Sequence, residues 1–311
     1  MRKLYVILAV ITLSLTINAQ VTTRSLQVIV EQTDSAPPAA RKESTSSLSF
    51  VDLNNSGVKK ALAESNYKQA ISFFSRAIEL KPDCFVCRYN LGRSFLAVEK
   101  FDDAIKIFAE LIKIDASSAN AQASLGEALS AKGFYKESLP FFRQALKLNS
   151  TDAITLYNYG VSLSVLESYE EALPNLDEAI KLKPDYAEAY SSRGYALYLL
   201  NRHREALASL KKAESLNPKL PQVHNNLGVV HDQIGKKKEA QKYYLEAVRL
   251  KPDFAEAVCN LAVSYLASGN RAAAYEQLKA LEKINFKLAE QLRGVIQRKY
   301  VIDASALQKE N

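Results

Sequence analysis

The strongest constraint in this sequence is a pattern that recurs every 34 residues. In the copy at residues 221–254, Gly228 lies in a first helical segment, and Ala240 and Tyr244 lie on one face of a second. Pro252 then ends the second segment, because proline lacks the N–H that a helix needs and clashes with the preceding turn. The same residue classes return one period earlier and again one period before that. A fixed period of this length is typical of a stacked repeat array.

Seven copies follow one another without an insertion, and they begin at Val51, Phe85, Ala119, Ala153, Ala187, Pro221 and Ala255. A column of mostly small residues lies in the first helix and reads Val58, Gly92, Gly126, Gly160, Gly194, Gly228 and Ala262. A column of large apolar residues lies in the second helix and reads Phe74, Phe108, Phe142, Leu176, Leu210, Tyr244 and Leu278. We expect the small residues to let the two helices approach closely, and the large residues to fill the space between repeats.

This unit resembles the tetratricopeptide repeat (TPR), a helix–turn–helix of 34 residues. The resemblance covers residues 51–288 and implies an all-α, right-handed superhelical solenoid of seven helix–turn–helix units. Apolar residues at helical spacing predict a capping helix at residues 289–299, followed by a tail at residues 300–311. Open solenoids need such a cap, because the last repeat otherwise exposes its apolar face.

The first 19 residues have the pattern of a secretory signal peptide. Arg2 and Lys3 precede an apolar run, and Ala19 offers a small residue for cleavage. The alternative is a membrane anchor, but the run is shorter than the roughly 20 apolar residues of a membrane span. Residues 20–50 then read as a flexible linker rich in Ser, Thr, Ala and Pro. We therefore predict an exported protein, periplasmic or secreted, with no membrane span after signal removal.

Charge and motifs argue against several function classes. The 41 basic and 34 acidic residues give a net charge of +7, and the longest run of like charge is three lysines, so we predict no nucleic-acid partner. The sequence shows no nucleophile elbow, phosphate-binding glycine loop or paired-carboxylate site. We therefore predict a protein that is not an enzyme and has no cofactor.

Two columns of the first helices favour binding of a protein or peptide partner. The column two residues before the small residue holds only Asn or Ser, and its asparagines are Asn90, Asn158, Asn226 and Asn260. The neighbouring column adds Tyr89, Tyr157 and Asn225, and Tyr195 and Tyr198 lie nearby in the fifth copy. In TPR arrays the first helices line a concave groove, so the resemblance implies that an extended segment of a partner lies against these residues.

An asparagine amide offers an acceptor and two donors, which suit a peptide backbone of any sequence. This column is similar to that of the TPR portion of O-linked N-acetylglucosamine transferases, whose inner asparagines hold peptide backbone. The similarity is partial, because serines stand in the first, third and fifth copies. The alternative is that the asparagines are family-typical residues without a ligand.

Cys84 and Cys87 form a C-x-x-C pair at the junction of the first two copies. Three interpretations remain open: small packed side chains, a local disulfide in an oxidising compartment, or a working redox pair. The last supports a second functional hypothesis, a thiol or redox protein whose repeats act as substrate adaptor. Its weakness is that no thioredoxin-like βαβ pattern surrounds the pair. Cys259 has no evident partner.

The three histidines do not suggest a metal site. His224 and His231 fall where other copies carry leucine, so we expect them in the core. The repeat places no third ligand near them, and we predict no metal.

The signal pattern generates the first testable prediction. Intact-mass analysis of the protein from its native source should show a chain that begins near Gln20, because signal peptidase cleaves after small residues such as Ala19. A mature chain that still begins at Met1 would contradict export by this route.

Overall fold

The computed structural model describes residues 48–307, and every regular element in that part of the chain is an α-helix. The helices are α1 Phe50–Glu64, α2 Tyr67–Leu80, α3 Phe85–Ala97, α4 Phe101–Ile114, α5 Ala119–Ala131, α6 Tyr135–Leu148, α7 Ala153–Val165, α8 Tyr169–Leu182, α9 Ala187–Leu199, α10 His203–Leu216, α11 Pro221–Gln233, α12 Lys237–Leu250, α13 Ala255–Ala267, α14 Arg271–Ile284 and α15 Phe286–Leu307. The predicted all-α repeat architecture is confirmed. The predicted signal segment and most of the predicted linker lie outside the described residues.

These helices form two compact units, the first comprising the described residues up to Leu166 and the second those from Glu167. In the N-terminal unit, the first helices α1, α3, α5 and α7 contact one another in succession, and α2, α4 and α6 pack against them. In the C-terminal unit, α9, α11, α13 and α15 form the corresponding series with α8, α10, α12 and α14. Each unit is therefore built from two layers, one of first helices and one of second helices.

The two helices of a repeat meet where a glycine of the first helix faces a large apolar residue of the second. A Cβ placed on Gly126 would lie 2.7 Å from Cε1 of Phe142, and one placed on Gly228 would lie 2.5 Å from Cε1 of Tyr244. Real Cβ contacts are not this short, so the close approach requires glycine at these positions. Phe142 is fully buried, which agrees with the predicted role of the large column.

The first repeat departs from the predicted column by one residue. Gly57, not Val58, faces the second helix, because a Cβ on Gly57 would lie 2.6 Å from Cε1 of Phe74. Gly57 and Phe74 are 17 residues apart along the chain, whereas Gly92 and Phe108 are 16 apart, so the first repeat has one extra residue between its contact positions. Only Ser65 and Asn66 separate α1 from α2, and Ser65 makes the reversal in the left-handed conformation with φ of 50°.

The C-terminal helix is longer than the predicted cap. It begins at Phe286 and continues to Leu307, through eight residues that the sequence analysis treated as a tail. No proline or glycine interrupts residues 299–307, so nothing in the sequence of that stretch stops the helix. Leu288, Ala289, Leu292 and Ile296 bury its apolar face against α13 and α14, as a cap requires. No helix among the described residues is long and apolar enough to cross a membrane.

The close glycine contact generates a stability prediction. Gly126→Leu should lower the free energy of unfolding by about 1–3 kcal/mol or more, because the added side chain must displace Phe142 from a filled core. Urea denaturation measures the change. The control is Lys106→Leu on the exposed side of α4, which should stay within about 0.5 kcal/mol of the parent. Equal stabilities of the two variants would show that the α5–α6 approach tolerates a side chain.

Candidate partner-binding face

The first helices of each unit carry all the predicted partner-binding residues. Tyr89 and Asn90 lie on α3, and Tyr157 and Asn158 lie on α7. In the C-terminal unit the predicted residues are Tyr195 and Tyr198 on α9, Asn225 and Asn226 on α11, and Asn260 on α13. We call the surface formed by these positions, together with the residue that follows the small-residue column, the first-helix face of each unit.

In the N-terminal unit the asparagine amides bond to the preceding repeat. Nδ2 of Asn90 donates to Oδ1 of Asn54 at 2.9 Å, and Nδ2 of Asn158 donates to Oε1 of Glu127 at 3.1 Å. The serine of the third repeat takes the same role, since its Oγ donates to the hydroxyl of Tyr89 at 3.4 Å. These bonds form a polar ladder between consecutive first helices.

The C-terminal unit contains the same ladder. Nδ2 of Asn226 donates to Oγ of Ser191 at 3.3 Å, and Nδ2 of Asn260 donates to Oδ1 of Asn225 at 2.9 Å. In both bonds the donor is 35 residues after the acceptor. Asn90 and Asn54 are 36 residues apart, because the first repeat has one extra residue between its contact positions. Which side chains bond therefore depends on which of them lie opposite each other in space, and not on a fixed number of residues between them.

Burial divides the predicted residues into two groups. Asn158, Asn226 and Tyr198 are half-buried and present part of their surface. The other predicted side chains are buried, namely Tyr89, Asn90, Tyr157, Tyr195, Asn225 and Asn260. These six side chains therefore expose little of their surface. Their role in holding a partner stays a prediction.

Tyr198 is the aromatic member of this face that reaches its surface. Its ring lies 6.4 Å from that of Tyr195 and 5.8 Å from the imidazole of His203. Burial and the nearby Asp232 raise the pKa of Tyr198, so its hydroxyl stays protonated at neutral pH. It can therefore donate a hydrogen bond to a carbonyl of a bound peptide.

A buried ion pair on the N-terminal face was not found by sequence analysis. Nη1 of Arg93 bonds to Oε2 of Glu127, and both side chains are nearly inaccessible, at 3% and 4% exposed. Because Glu127 also accepts from Asn158, the network joins the second, third and fourth repeats. The sequence does contain a signal for this ion pair. Arg93 follows Gly92 and Glu127 follows Gly126, so opposite charges occupy the same column in consecutive repeats.

Cys84 and Cys87 form a disulfide whose two Cα atoms lie 5.3 Å apart. Cys84 is the N-cap of α3, and its Sγ accepts the backbone N–H of Cys87 at 3.2 Å. Both residues are buried against Leu53 and Ala77 of the first repeat. A substrate thiol must reach a disulfide sulfur to exchange with it, so this burial favours a structural bond.

Cys259 is a free thiol buried in α13. Burial and the nearby Glu256 raise the pKa of Cys259 to about 12. The thiol is therefore protonated at neutral pH and a poor nucleophile.

His224 and His231 are buried in α11, which confirms their expected place in the core. Both rings stack on Tyr243 of α12, at centroid distances of 6.2 Å and 5.2 Å. A ring nitrogen of His224, Nε2, lies 2.7 Å from the carbonyl oxygen of Pro218. Among the described residues, no cluster of three or more His, Cys, Asp or Glu side chains is arranged to hold a metal ion.

Comparison with known protein families agrees with this geometry. Models described as tetratricopeptide repeat match residues 61–129, 119–152 and 221–254, and a model described as TPR repeat matches residues 166–201 and 194–235. These segments together cover more than half of the chain. The chain belongs to the tetratricopeptide-repeat family.

Solved structures of repeat proteins are similar to this chain. A tetratricopeptide repeat protein from Parabacteroides merdae is 14% identical with a TM-score of 0.66, and the match covers 80% of this chain and 98% of that one. PilF from Pseudomonas aeruginosa is 21% identical with a TM-score of 0.57, covering 68% and 98%. YrrB, described as a TPR protein with an unusual peptide-binding site, is 25% identical with a TM-score of 0.48, covering 60% and 95%. No curated protein matches the sequence.

The buried ion pair generates a stability prediction. Glu127→Ala should lower the free energy of unfolding by about 3–5 kcal/mol, because it leaves the Arg93 guanidinium without its buried counter-ion. The comparison is Glu246→Ala, which removes an acid from the exposed Glu246–Arg249 pair of α12 and should cost less than about 1 kcal/mol. Chemical denaturation measures both. Similar losses in the two variants would show that Arg93 and Glu127 are effectively solvated.

Proposed function

We propose that this protein is a non-catalytic scaffold that binds an extended segment of another protein on its first-helix face. The observation that carries the proposal is the column of asparagine and serine side chains at equivalent positions of successive first helices, in which Asn158 of one unit and Asn226 of the other are half-buried. Packed helices lie about 8–10 Å apart, and an extended peptide advances about 3.3 Å per residue. A peptide crossing the first helices therefore meets an equivalent polar side chain about every third residue.

The half-buried asparagines retain capacity for such a peptide. A primary amide has two N–H groups and an acceptor oxygen. The bond from Asn158 to Glu127 uses one N–H, as does the bond from Asn226 to Ser191. The remaining N–H and oxygen suit the C=O and N–H of a peptide backbone, and the bond to the preceding repeat keeps each amide in a fixed orientation. Binding of this kind depends little on the peptide's side chains.

We further propose that the protein acts outside the cytoplasm, in the periplasm or as a secreted protein. The support is the signal-peptide pattern of residues 1–19. A disulfide between Cys84 and Cys87 is compatible with an oxidising compartment. The redox hypothesis receives no comparable support, because both sulfur-bearing side chains are buried.

Quantitative capture from extract of the source organism tests the binding proposal. In the variant Asn158→Ala/Asn226→Ala the face of each unit loses one amide, and the affinity of each face for the captured partner should fall roughly fivefold, since each lost hydrogen bond contributes about 1 kcal/mol. Circular dichroism should show an unchanged helical fold, because both positions are half-buried. Mass spectrometry identifies the partner, and titration of its purified form measures the affinity.

Two controls sharpen this test. Asn120→Ala removes an exposed amide from α5 outside the ladder and should bind as the parent does. Cys84→Ser/Cys87→Ser should also bind normally while losing some stability, because the disulfide is structural. Undiminished binding by the double asparagine variant would overturn the proposal, and loss of binding only in the cysteine variant would favour the redox hypothesis.

A further inference from the structure

Acidic residues dominate the charge of three first helices in the C-terminal unit. Glu188 on α9, Asp232 on α11 and Glu256 on α13 are the acids of these helices. Arg193 of α9 is their only Lys or Arg, and its Nε pairs with Asp177 of the second helix α8. The other helices of the unit, α8, α10, α12, α14 and α15, each carry both signs. Helices α9, α11 and α13 therefore direct no Lys or Arg of their own toward the first-helix face.

The three carboxylates lie on both sides of the hydrogen-bond ladder of this unit. Asp232 comes seven residues after Asn225, which is about two turns and about 10 Å along the axis of α11, on the same side of the helix. Glu256 comes four residues before Asn260, about 6 Å in the opposite direction on α13. Glu188 also lies near the start of its helix. A peptide that follows the ladder across these helices therefore has a carboxylate on each side of its backbone.

Glu256 is a buried acid whose carboxylate has no hydrogen-bond partner in the described part of the chain. Its residue surface is 2% exposed, and neither Oε1 nor Oε2 is bonded. Burial raises the pKa of Glu256, and its own backbone N–H and the nearby Lys251 act in the opposite direction. A buried carboxylate without a partner is costly to a fold. A cation supplied by a bound molecule would remove this cost.

Asp232 also has bonding capacity left, and it lies beside an aromatic ring. Its side chain is 16% exposed, and its ion-pair contact is Nζ of Lys237 at 3.7 Å. The Lys237 side chain is 61% exposed, so this pair is weak and easily exchanged. Tyr198 occupies the same position of α9 as Asp232 does of α11, and these two helices contact each other. A carboxylate next to a tyrosine ring suits a guanidinium or ammonium group, which can form an ion pair and a cation–π contact together.

The N-terminal face does not have this character. Its acid Glu127 already bonds to the guanidinium of Arg93, and both side chains are buried. The chain therefore supplies a cation to the acid of one face and leaves the acids of the other face without one from their own helices.

We propose that the first-helix face of the C-terminal unit binds an extended segment that carries lysine or arginine side chains. One basic side chain binds between Asp232 and Tyr198, and another, on the opposite side of the backbone, reaches toward Glu256. Successive side chains of an extended peptide point to opposite sides, so basic residues in such a segment can reach both carboxylates. The inference rests on the proposed function, because the ladder holds the backbone of any peptide while the carboxylates select a basic one.

Binding of defined peptides to the full chain tests this selection. The probes are fluorescently labelled peptides of about ten residues, long enough at about 3.3 Å per residue to cross three packed helices. They alternate glycine with pairs of arginine, glutamine or glutamate, so that both sides of the backbone carry the tested residue. The arginine peptide should bind at least roughly tenfold more tightly than the glutamine peptide, because hydrogen bonds to a charged group are the stronger ones. The glutamate peptide should bind most weakly, and added salt should reduce the difference.

Variants locate the selection on the C-terminal face. Asp232→Asn should weaken binding of the arginine peptide roughly tenfold and leave the glutamine peptide unaffected, since it removes one charged acceptor. Lys237→Gln should strengthen binding of the arginine peptide, because it removes the competing cation. The matched control is Glu239→Gln, which removes an exposed acid of α12 outside the face and should bind as the parent does.

Glu256→Gln gives a readout that a structural role would not produce. It should raise the urea midpoint of unfolding, because a neutral amide is less costly to bury than a carboxylate without a partner. It should also weaken binding of the arginine peptide. A residue that serves only the fold would lose stability on replacement and leave the preference among peptides unchanged.

Four outcomes would overturn the proposal. Equal binding of the arginine and glutamine peptides, weakened by Asn226→Ala, would leave backbone binding in place without selection of basic side chains. Tighter binding of the glutamate peptide would reverse the assigned charge. A preference for arginine that survives both Asp232→Asn and Glu256→Gln would place the cation on another surface. Failure of every peptide to bind would also reject it, while capture from extract decides the proposed function separately.

Discussion

The structure depends on the close approach of two helices at one small residue in each repeat. In the first, second, third, fifth and sixth repeats, a glycine of the first helix lies against a large side chain of the second helix. These side chains are Phe74, Phe108, Phe142, Leu210 and Tyr244. This contact sets the rotation of the first helix about its axis, because any other rotation would place a side chain where the glycine is. The polar columns beside the glycine are thereby held on the first-helix face, in line with those of neighbouring repeats.

Polar contacts between first helices then set how consecutive repeats align. Asn90 with Asn54 and Asn260 with Asn225 pair one repeat with the next. A buried amide without a partner costs about 1–3 kcal/mol, so a register shift that broke these pairs would be unfavourable. The first repeat shows the coupling directly, because its one extra residue moves both Gly57 and Asn54 by one position and preserves both contacts.

Under the proposed function, the ladder has two roles that need not conflict. One N–H of an asparagine aligns the repeats, and the rest of the amide is directed along the face where a peptide backbone can use it. Half-buried members such as Asn158 and Asn226 would serve both roles under the proposed function, whereas a fully buried member such as Asn90 contributes to alignment. A scaffold of this kind fixes its binding groups before a partner arrives, which lowers the entropy lost on binding.

The sequence by itself determined the period, the helical class and the starting residue of six first helices, because these depend on local periodicity and on helix-ending residues. Only the tertiary structure decided that Gly57 replaces Val58, that Arg93 pairs with Glu127, that Cys84 bonds to Cys87, and that six predicted side chains are buried. The physical reason is that one helix's pattern identifies its faces, whereas burial and pairing depend on how closely other helices approach those faces.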